Sequence, residues 1–135
     1  MKLFSVILLA LFFSHCSNPA LPTEQPPVSL TFVEATEFDA NLLLKNNTTE
    51  SLLYYGYSKS SPLKTIEILT DTGWTVAAWD WCGTGAEQQK VKPNESVVIF
   101  APVIKKNVKT RIAFSYNTSA NEEYTKLTSN EYIVK

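Results

Sequence analysis

The chain has 135 residues, 44% of them hydrophobic, with 12 lysines and arginines against 13 aspartates and glutamates. This is the length of one domain. The formal net charge of −1, with Arg111 as the single arginine, lacks the basic character that binding to a phosphate backbone requires. We therefore expect no nucleic-acid partner.

Residues 1–15 have the composition of a secretory signal peptide. Lys2 gives a positive start, and residues 3–13 are apolar except for Ser5. An apolar run of this length is shorter than the roughly 20 residues of a membrane-spanning helix. We therefore predict that residues 1–15 direct export and do not belong to the folded domain.

Cys16 directly follows the apolar run, and this arrangement resembles the signals of bacterial lipoproteins, in which the cysteine is lipidated. That family prefers Leu three residues before the cysteine and a small residue just before it, where this chain has Phe13 and His15. Residues 16–27 contain four prolines and predict a semi-rigid tether. The resemblance implies a membrane anchor and a place in the cell envelope. The alternative is cleavage after Ala20, which would release a secreted protein.

The histidine and cysteine counts remove many catalytic and metal-binding chemistries. The one histidine, His15, lies in the predicted signal, so the mature protein would have none. This excludes Ser–His and Cys–His nucleophile pairs and zinc sites with histidine ligands. Once Cys16 is lipidated or removed, Cys82 is the remaining thiol, and we expect it in the core. We predict no catalytic residue, no metal and no cofactor.

From Val28 onward, apolar residues alternate with polar ones over short runs that end at Asn, Asp, Gly, Pro or Ser. This pattern is typical of strands. The predicted strands cover residues 28–34, 38–45, 52–57, 64–70, 74–81, 88–92, 96–101, 110–116 and 131–135. The predicted turns and loops include residues 46–49, 58–62, 71–73, 93–95, 104–109 and 117–123. The fold class is all-β. We predict a two-sheet antiparallel sandwich of immunoglobulin-like size over residues 28–135, with a small barrel as the structural alternative.

Three short motifs resemble the immunoglobulin-like or fibronectin-like accessory domains of bacteria, a group that includes the intracellular proteinase inhibitors. They are a strand that ends in Asn46-Asn47-Thr48, the turn over residues 93–96 that leads into Val-Val-Ile-Phe, and a closing aromatic strand. Asn94 stands where glycine is usual in these domains. The resemblance implies a sandwich with a binding or scaffolding role, and it carries over no catalytic residue.

The clearest hairpin joins residues 64–70 to residues 74–81 through Asp71-Thr72-Gly73, where Gly73 is expected to adopt a positive φ. Strict alternation along the second strand predicts two faces. One face carries Thr75, Ala77, Trp79 and Trp81, and the other carries Val76, Ala78, Asp80 and Cys82.

An aromatic platform is the candidate ligand-binding site. Trp79 and Trp81 lie about 7 Å apart on one predicted face, and Tyr55 and Tyr57 lie on a strand near in sequence. Such rings can stack on a sugar or a peptide. The alternative is that one tryptophan face packs in the core.

These observations predict a non-enzymatic lipoprotein of the cell envelope. Asp71, Asp80 and Glu87 surround the tryptophan region, but a domain of this size rarely encloses a substrate cleft. We expect a β-sandwich that binds another envelope protein or supports an assembly. The alternatives are a carbohydrate-binding module with an aromatic platform, which makes a polysaccharide the partner, and a module like the protease inhibitors.

Overall fold

The computed structural model describes residues 26–80 and 84–135. The predicted signal, Cys16 and most of the predicted tether lie outside these residues, as do Trp81 and Cys82. The described part consists of antiparallel β-strands and contains no helix, hence none that could cross a membrane. The strands are β1 (Val28–Ala35), β2 (Asp39–Asn46), β3 (Leu52–Ser58), β4 (Ser61–Pro62), β5 (Lys64–Thr70), β6 (Gly73–Trp79), β7 (Glu87–Val91), β8 (Ser96–Pro102), β9 (Lys109–Thr118), β10 (Asn121–Thr128) and β11 (Tyr132–Ile133).

The strands form two sheets that pack against each other, which confirms the predicted all-β sandwich. The smaller sheet has the order β1-β2-β8. In the larger sheet β9 is central, because it pairs with β3 and β5 along one edge and with β10 and β11 along the other. Strand β6 continues this sheet beyond β5, and β4 and β7 pair with β3.

The core lies between the two sheets and follows the period-2 pattern of the sequence. The smaller sheet contributes Leu30, Ala40, Leu42, Leu44, Ile99 and Ala101, and the larger sheet contributes Leu52, Tyr54, Ile66, Val91, Ile112, Phe114 and Tyr132. Each fully buried large apolar side chain of this kind stabilises the fold by about 1.5–3 kcal/mol. Phe32 of β1 also stacks on Tyr132 of β11, with ring centroids 4.4 Å apart, which joins the two sheets at one side.

One strand contradicts the sequence prediction. Residues 117–123 were expected to form a turn, but β9 continues to Thr118, the turn is Ser119-Ala120, and β10 begins at Asn121. Six of the eight β10 residues are exposed, so β10 has no apolar alternation to reveal it. Its backbone pairing with β9 forms the strand.

Asn46 organises one corner of the sandwich. Its side chain is 1% exposed, and its Nδ2 lies within hydrogen-bond distance of the carbonyl oxygens of Glu50, Val91 and Lys92, at 2.8, 3.2 and 3.0 Å. The two hydrogens of the amide are shared among these three acceptors. Its Oδ1 accepts from the backbone N–H and the hydroxyl of Thr48 at 3.0 and 2.7 Å. A buried amide costs little when both of its ends are bonded. We call residues 46–50 and 91–95 the Asn46 corner.

The turn over residues 92–95 completes this corner. Asn94 has a φ of 61°, a left-handed conformation that asparagine tolerates better than most residues. Its N–H donates to the carbonyl of Asn46 at 2.8 Å. Glu95 accepts the Lys92 N–H at 2.7 Å and pairs with Lys59 at 2.7 Å. The hydrogen bond from Lys59, followed by that from the Lys92 backbone, lowers the pKa of Glu95. The Asn-Asn-Thr and Pro-Asn-Glu-Ser motifs therefore bond directly to each other.

Candidate functional site

The outer face of the larger sheet carries a groove of about 560 Å³. On β5 and β9, Ile66 and Ile112 point into the core, whereas Thr65, Ala113 and Ser115 point away from it. These three small side chains lie at the base of the groove. The remaining lining comes from Tyr55, Leu63, Lys64, Glu67, Val76, Trp79, Asp80, Phe114, Tyr124 and Lys126. We call this site the aromatic groove.

A β-bulge in β6 brings Trp79 into the groove. Ile66 pairs with Ala78 and Glu67 pairs with Val76, so Ala77 has no partner on β5. The extra residue shifts the alternation, and it places Val76 and Trp79 on the same outward face, although the interval between them is odd. The predicted faces were therefore wrong, because Val76 was expected opposite Trp79. Bulges are common where a strand redirects a side chain at a functional site.

A second irregularity presents Tyr124. Between Asn121 and Thr125 the register of β10 against β9 shifts, so that residues 122–124 face Asn117 alone. Tyr124 lies in this widened segment and lines the groove. Sequence reasoning missed Tyr124, because β10 carries no signal of a strand.

Tyr55 reaches the groove from β3. It alternates with Tyr54, whose ring contacts the Phe114 ring in the core at 5.2 Å, so Tyr55 points outwards. The next residue is Gly56, and β4 passes so close to it that a side chain has no room. A Cβ at Gly56 would lie 2.5 Å from the Ser61 carbonyl oxygen. The close approach of strand β4 thus requires glycine next to Tyr55.

The structure brings together two of the four residues that the sequence selected for ligand binding. Tyr55 and Trp79 both line the groove. Tyr57 is 45% exposed but is not part of the lining, and Trp81 lies outside the described residues. Trp74, the third tryptophan, lies elsewhere on the outward face under the Arg111 guanidinium, which is 4.2 Å from its ring centroid.

Three of the four aromatic rings that line the groove are open to a ligand, whereas Phe114 is buried. Trp79 is 59% exposed, Tyr124 52% and Tyr55 48%. The ring pairs in the described ranges are Phe32 with Tyr132 and Tyr54 with Phe114, so none of the three groove rings stacks on another. Their faces can therefore receive a flat apolar surface.

Glu67 anchors a row of charges beside these rings. Its Oε2 accepts from Arg111 Nε at 2.6 Å, and its Oε1 accepts from Lys126 Nζ at 2.8 Å. The hydrogen bond from Lys126 is the largest cause of a lowered Glu67 pKa, and the Arg111 hydrogen bond acts in the same direction against the effect of burial. Glu67 therefore stays ionised near neutral pH.

A second ion pair fixes the end of β6 next to Trp79. Lys64 is only 7% exposed, and its Nζ lies 3.0 Å from Asp80 Oδ2. The Asp80 N–H also donates to the Lys64 carbonyl at 3.0 Å. Among the residues that the structure describes, the charged side chains that line the groove are thus two cations, Lys64 and Lys126, and two anions, Glu67 and Asp80.

Glu67 does not have the properties of a glycosidase acid. A glycosidase acid needs a raised carboxyl pKa near its partner carboxylate, whereas the Glu67 pKa is lowered and both of its oxygens accept hydrogen bonds from cations. Over residues 26–80 and 84–135, no three His, Cys, Asp or Glu side chains group in a way that could hold a metal ion.

Comparison with known proteins gives no family for the chain. No protein-family model matches the sequence, and no curated protein shows a significant match to it.

Proposed function

We propose that the protein is a non-catalytic binding module of the bacterial cell envelope that holds its ligand in the aromatic groove. One observation carries this proposal. Tyr55, Trp79 and Tyr124 come from three different strands, and all three line one groove while about half of each side chain remains exposed. Exposing three large aromatic side chains together leaves apolar surface in water, and such patches on soluble domains mark binding sites.

The groove favours a narrow ligand over a broad protein interface. Its volume of about 560 Å³ is within the range of sites for small or thin ligands. A stable protein–protein interface instead covers about 800 Å² on each partner. We therefore propose that the module captures a polymer segment, and that any scaffolding role depends on that capture.

The place in the envelope rests on the sequence of the N-terminus. Cys16 would carry the lipid and residues 16–27 would form the tether. The chain enters the sandwich at the Asn46 corner, where Asn47 donates from its backbone N–H to the Pro27 carbonyl at 2.8 Å and from its side chain to Pro26 at 3.2 Å. This entry point is at an end of the sandwich, whereas the groove lies on a sheet face, so an anchored domain would keep the groove accessible.

The anchor is tested by metabolic labelling with a radioactive fatty acid, with the wild-type chain compared with Cys16→Ala. We expect label and membrane association in the wild type and loss of both in the variant. An unlabelled wild type would mean a secreted module and would remove the anchor from the proposal.

The groove is tested by co-sedimentation of the full-length protein with the insoluble envelope fraction of the cells that produce it. Wild type is compared with Trp79→Ala and with Phe100→Ala. Phe100 is a matched control, because it is 48% exposed but lies on β8 in the other sheet. We expect Trp79→Ala to weaken binding about tenfold or more, the effect of losing one aromatic stack, and Phe100→Ala to bind like wild type. Equal binding by all three proteins, or no binding by any, would refute the proposal.

A further inference from the structure

The aromatic groove runs diagonally across the strands. Tyr124 is on β10 and Trp79 is on β6, with β9 and β5 between them. Three strand spacings separate β10 from β6, which is about 14 Å. Along β9, Trp79 lies at the level of Ala113 and Tyr124 at the level of Asn117. A ligand that touches both rings must therefore be extended and must lie across the sheet.

The base of the groove offers side-chain groups and no free backbone edge. On a sheet face the backbone N–H and C=O groups are directed to neighbouring strands, as they are here between β5, β6 and β9. An extended peptide is normally held by adding to a strand edge, where its amides find backbone partners. The amides of a peptide that lay across this face, away from the outer edges of β6 and β10, would lack such partners, and unmet hydrogen bonds weaken binding.

Hydroxyl groups suit the polar lining better. A hydroxyl donates to a carboxylate and accepts from an ammonium group or another hydroxyl. The lining provides all of these through Thr65, Ser115, Asp80 and Lys126. The apolar C–H face of a sugar ring can at the same time stack on Trp79, Tyr55 or Tyr124.

The charges of the lining point to an uncharged ligand. Lys64 is paired with Asp80, and Lys126 with Glu67. An acidic polymer would have to compete with the two carboxylates for these cations. A basic polymer would have to compete with the two cations for the carboxylates. A ligand without charge can accept and donate hydrogen bonds without breaking either ion pair.

We infer that the ligand of the aromatic groove is an uncharged polysaccharide, whose chain crosses β6, β5, β9 and β10 and stacks sugar rings on Trp79 and Tyr124. This inference rests on the proposed function, since it names the ligand class for the same groove.

The test starts from the envelope fraction that binds the protein in a Trp79-dependent way. One portion is treated with periodate, which cleaves sugar diols, and another with proteinase K. We expect periodate to reduce binding at least tenfold and proteinase K to leave it unchanged. Material solubilised from the fraction is then passed over an anion exchanger, and the component that competes for the groove is expected in the unbound portion.

Three results would overturn the inference. They are Trp79-dependent binding that survives periodate, binding that proteinase K abolishes, and a competitor that is retained by the anion exchanger. Each of these leaves the groove as a binding site, for a protein segment or an acidic polymer, so the proposed function would stand. Loss of Trp79 dependence in the untreated fraction would instead refute the proposed function.

The separation of Trp79 and Tyr124 allows a second test, which compares long and short ligands. Tyr124→Ala is expected to weaken binding to long chains more than to single sugars, because only a long chain spans both rings. Phe100→Ala is expected to bind both like wild type. Equal loss for long and short ligands in Tyr124→Ala would contradict a chain that crosses the sheet.

Discussion

The Asn46 corner and the aromatic groove differ in whether their polar or aromatic side chains have partners within the protein. In the corner, Asn46 is buried and both ends of its amide are bonded within the protein. In the groove, Trp79, Tyr124 and Tyr55 lie on strands, and no aromatic ring within residues 26–80 and 84–135 stacks on them. The corner uses its side chains to hold the fold, whereas the groove leaves its rings for another molecule. Substitutions should therefore change stability in the first region and binding in the second.

The largest effect on stability is expected from Asn46→Ala. The substitution removes the partner of three backbone carbonyls and of Thr48 in a buried place. Leaving such groups unpaired costs about 2–4 kcal/mol of the free energy of unfolding. The neighbouring Asn47→Ala is the control, since Asn47 is exposed and should cost under about 0.5 kcal/mol. Urea unfolding measures both, and equal losses would contradict the role given to the Asn46 amide.

Gly56→Ala is expected to have the next largest effect. The added Cβ would meet the Ser61 carbonyl oxygen at 2.5 Å and the Pro62 Cα at 2.9 Å, so β4 must move away from β3. Overpacking of this kind costs about 1–3 kcal/mol. Because Tyr55 precedes Gly56, the movement should also weaken groove binding. Thermal unfolding and co-sedimentation test the two effects, and an unchanged stability would show that β4 adapts freely.

Glu67→Gln should give a smaller, pH-dependent loss. The lowered Glu67 pKa means that the folded state favours the carboxylate, so its stabilisation is present above the unfolded pKa of 4.5 and is lost as the pH falls through the folded value. We expect the variant to lose about 1–2 kcal/mol at pH 7, since Arg111 and Lys126 are partly exposed.

Urea unfolding at pH 7 and at pH 3 checks this expectation. The difference between wild type and Glu67→Gln should shrink at the lower pH. Glu131→Gln is the control, because Glu131 and its partner Lys109 are each 50% exposed and their pair should contribute little at either pH. A constant difference for Glu67→Gln would mean that packing, and not charge, explains its effect.

Trp79→Ala is expected to change stability least. A side chain that is 59% exposed contributes little to the core, so the free energy of unfolding should change by under about 0.5 kcal/mol. Chemical unfolding of the variant used in the binding assays gives this value. A loss of several kcal/mol would show that Trp79 is a structural residue. The weaker binding of the variant could then result from partial unfolding and would not be evidence for ligand contact.

The sandwich could be predicted from the sequence because its core strands are half buried. Leu42 and Leu44 on β2, and Ile112 and Phe114 on β9, are separated by outward residues, so period 2 is visible. The Gly73 turn was predicted in the same way, and its φ of 110° confirms the expected conformation. These features are local, and a single sequence contains them.

The groove could be predicted only in part. Tyr55 and Trp79 stood out as aromatic residues on strands, but the bulge at Ala77 depends on pairing with β5 and leaves no mark in the sequence of β6. Tyr124 lies on an exposed edge strand whose pairing with β9 is likewise invisible in its composition. The register between strands brings these rings together, and this register cannot be predicted from the residue pattern of a single sequence.

The bulge at Ala77 also determines how the hairpin would respond to changes in chain length. Because Ala77 has no partner on β5, a chain that lacked this one residue could keep every other pair between β5 and β6. Val76 and Trp79 would then still face outwards, now separated by Ala78 alone in regular alternation. Loss of a paired residue such as Thr75 would instead shift the rest of the hairpin. We therefore expect the groove to tolerate a one-residue deletion at Ala77, so that chains of different length could present the same rings.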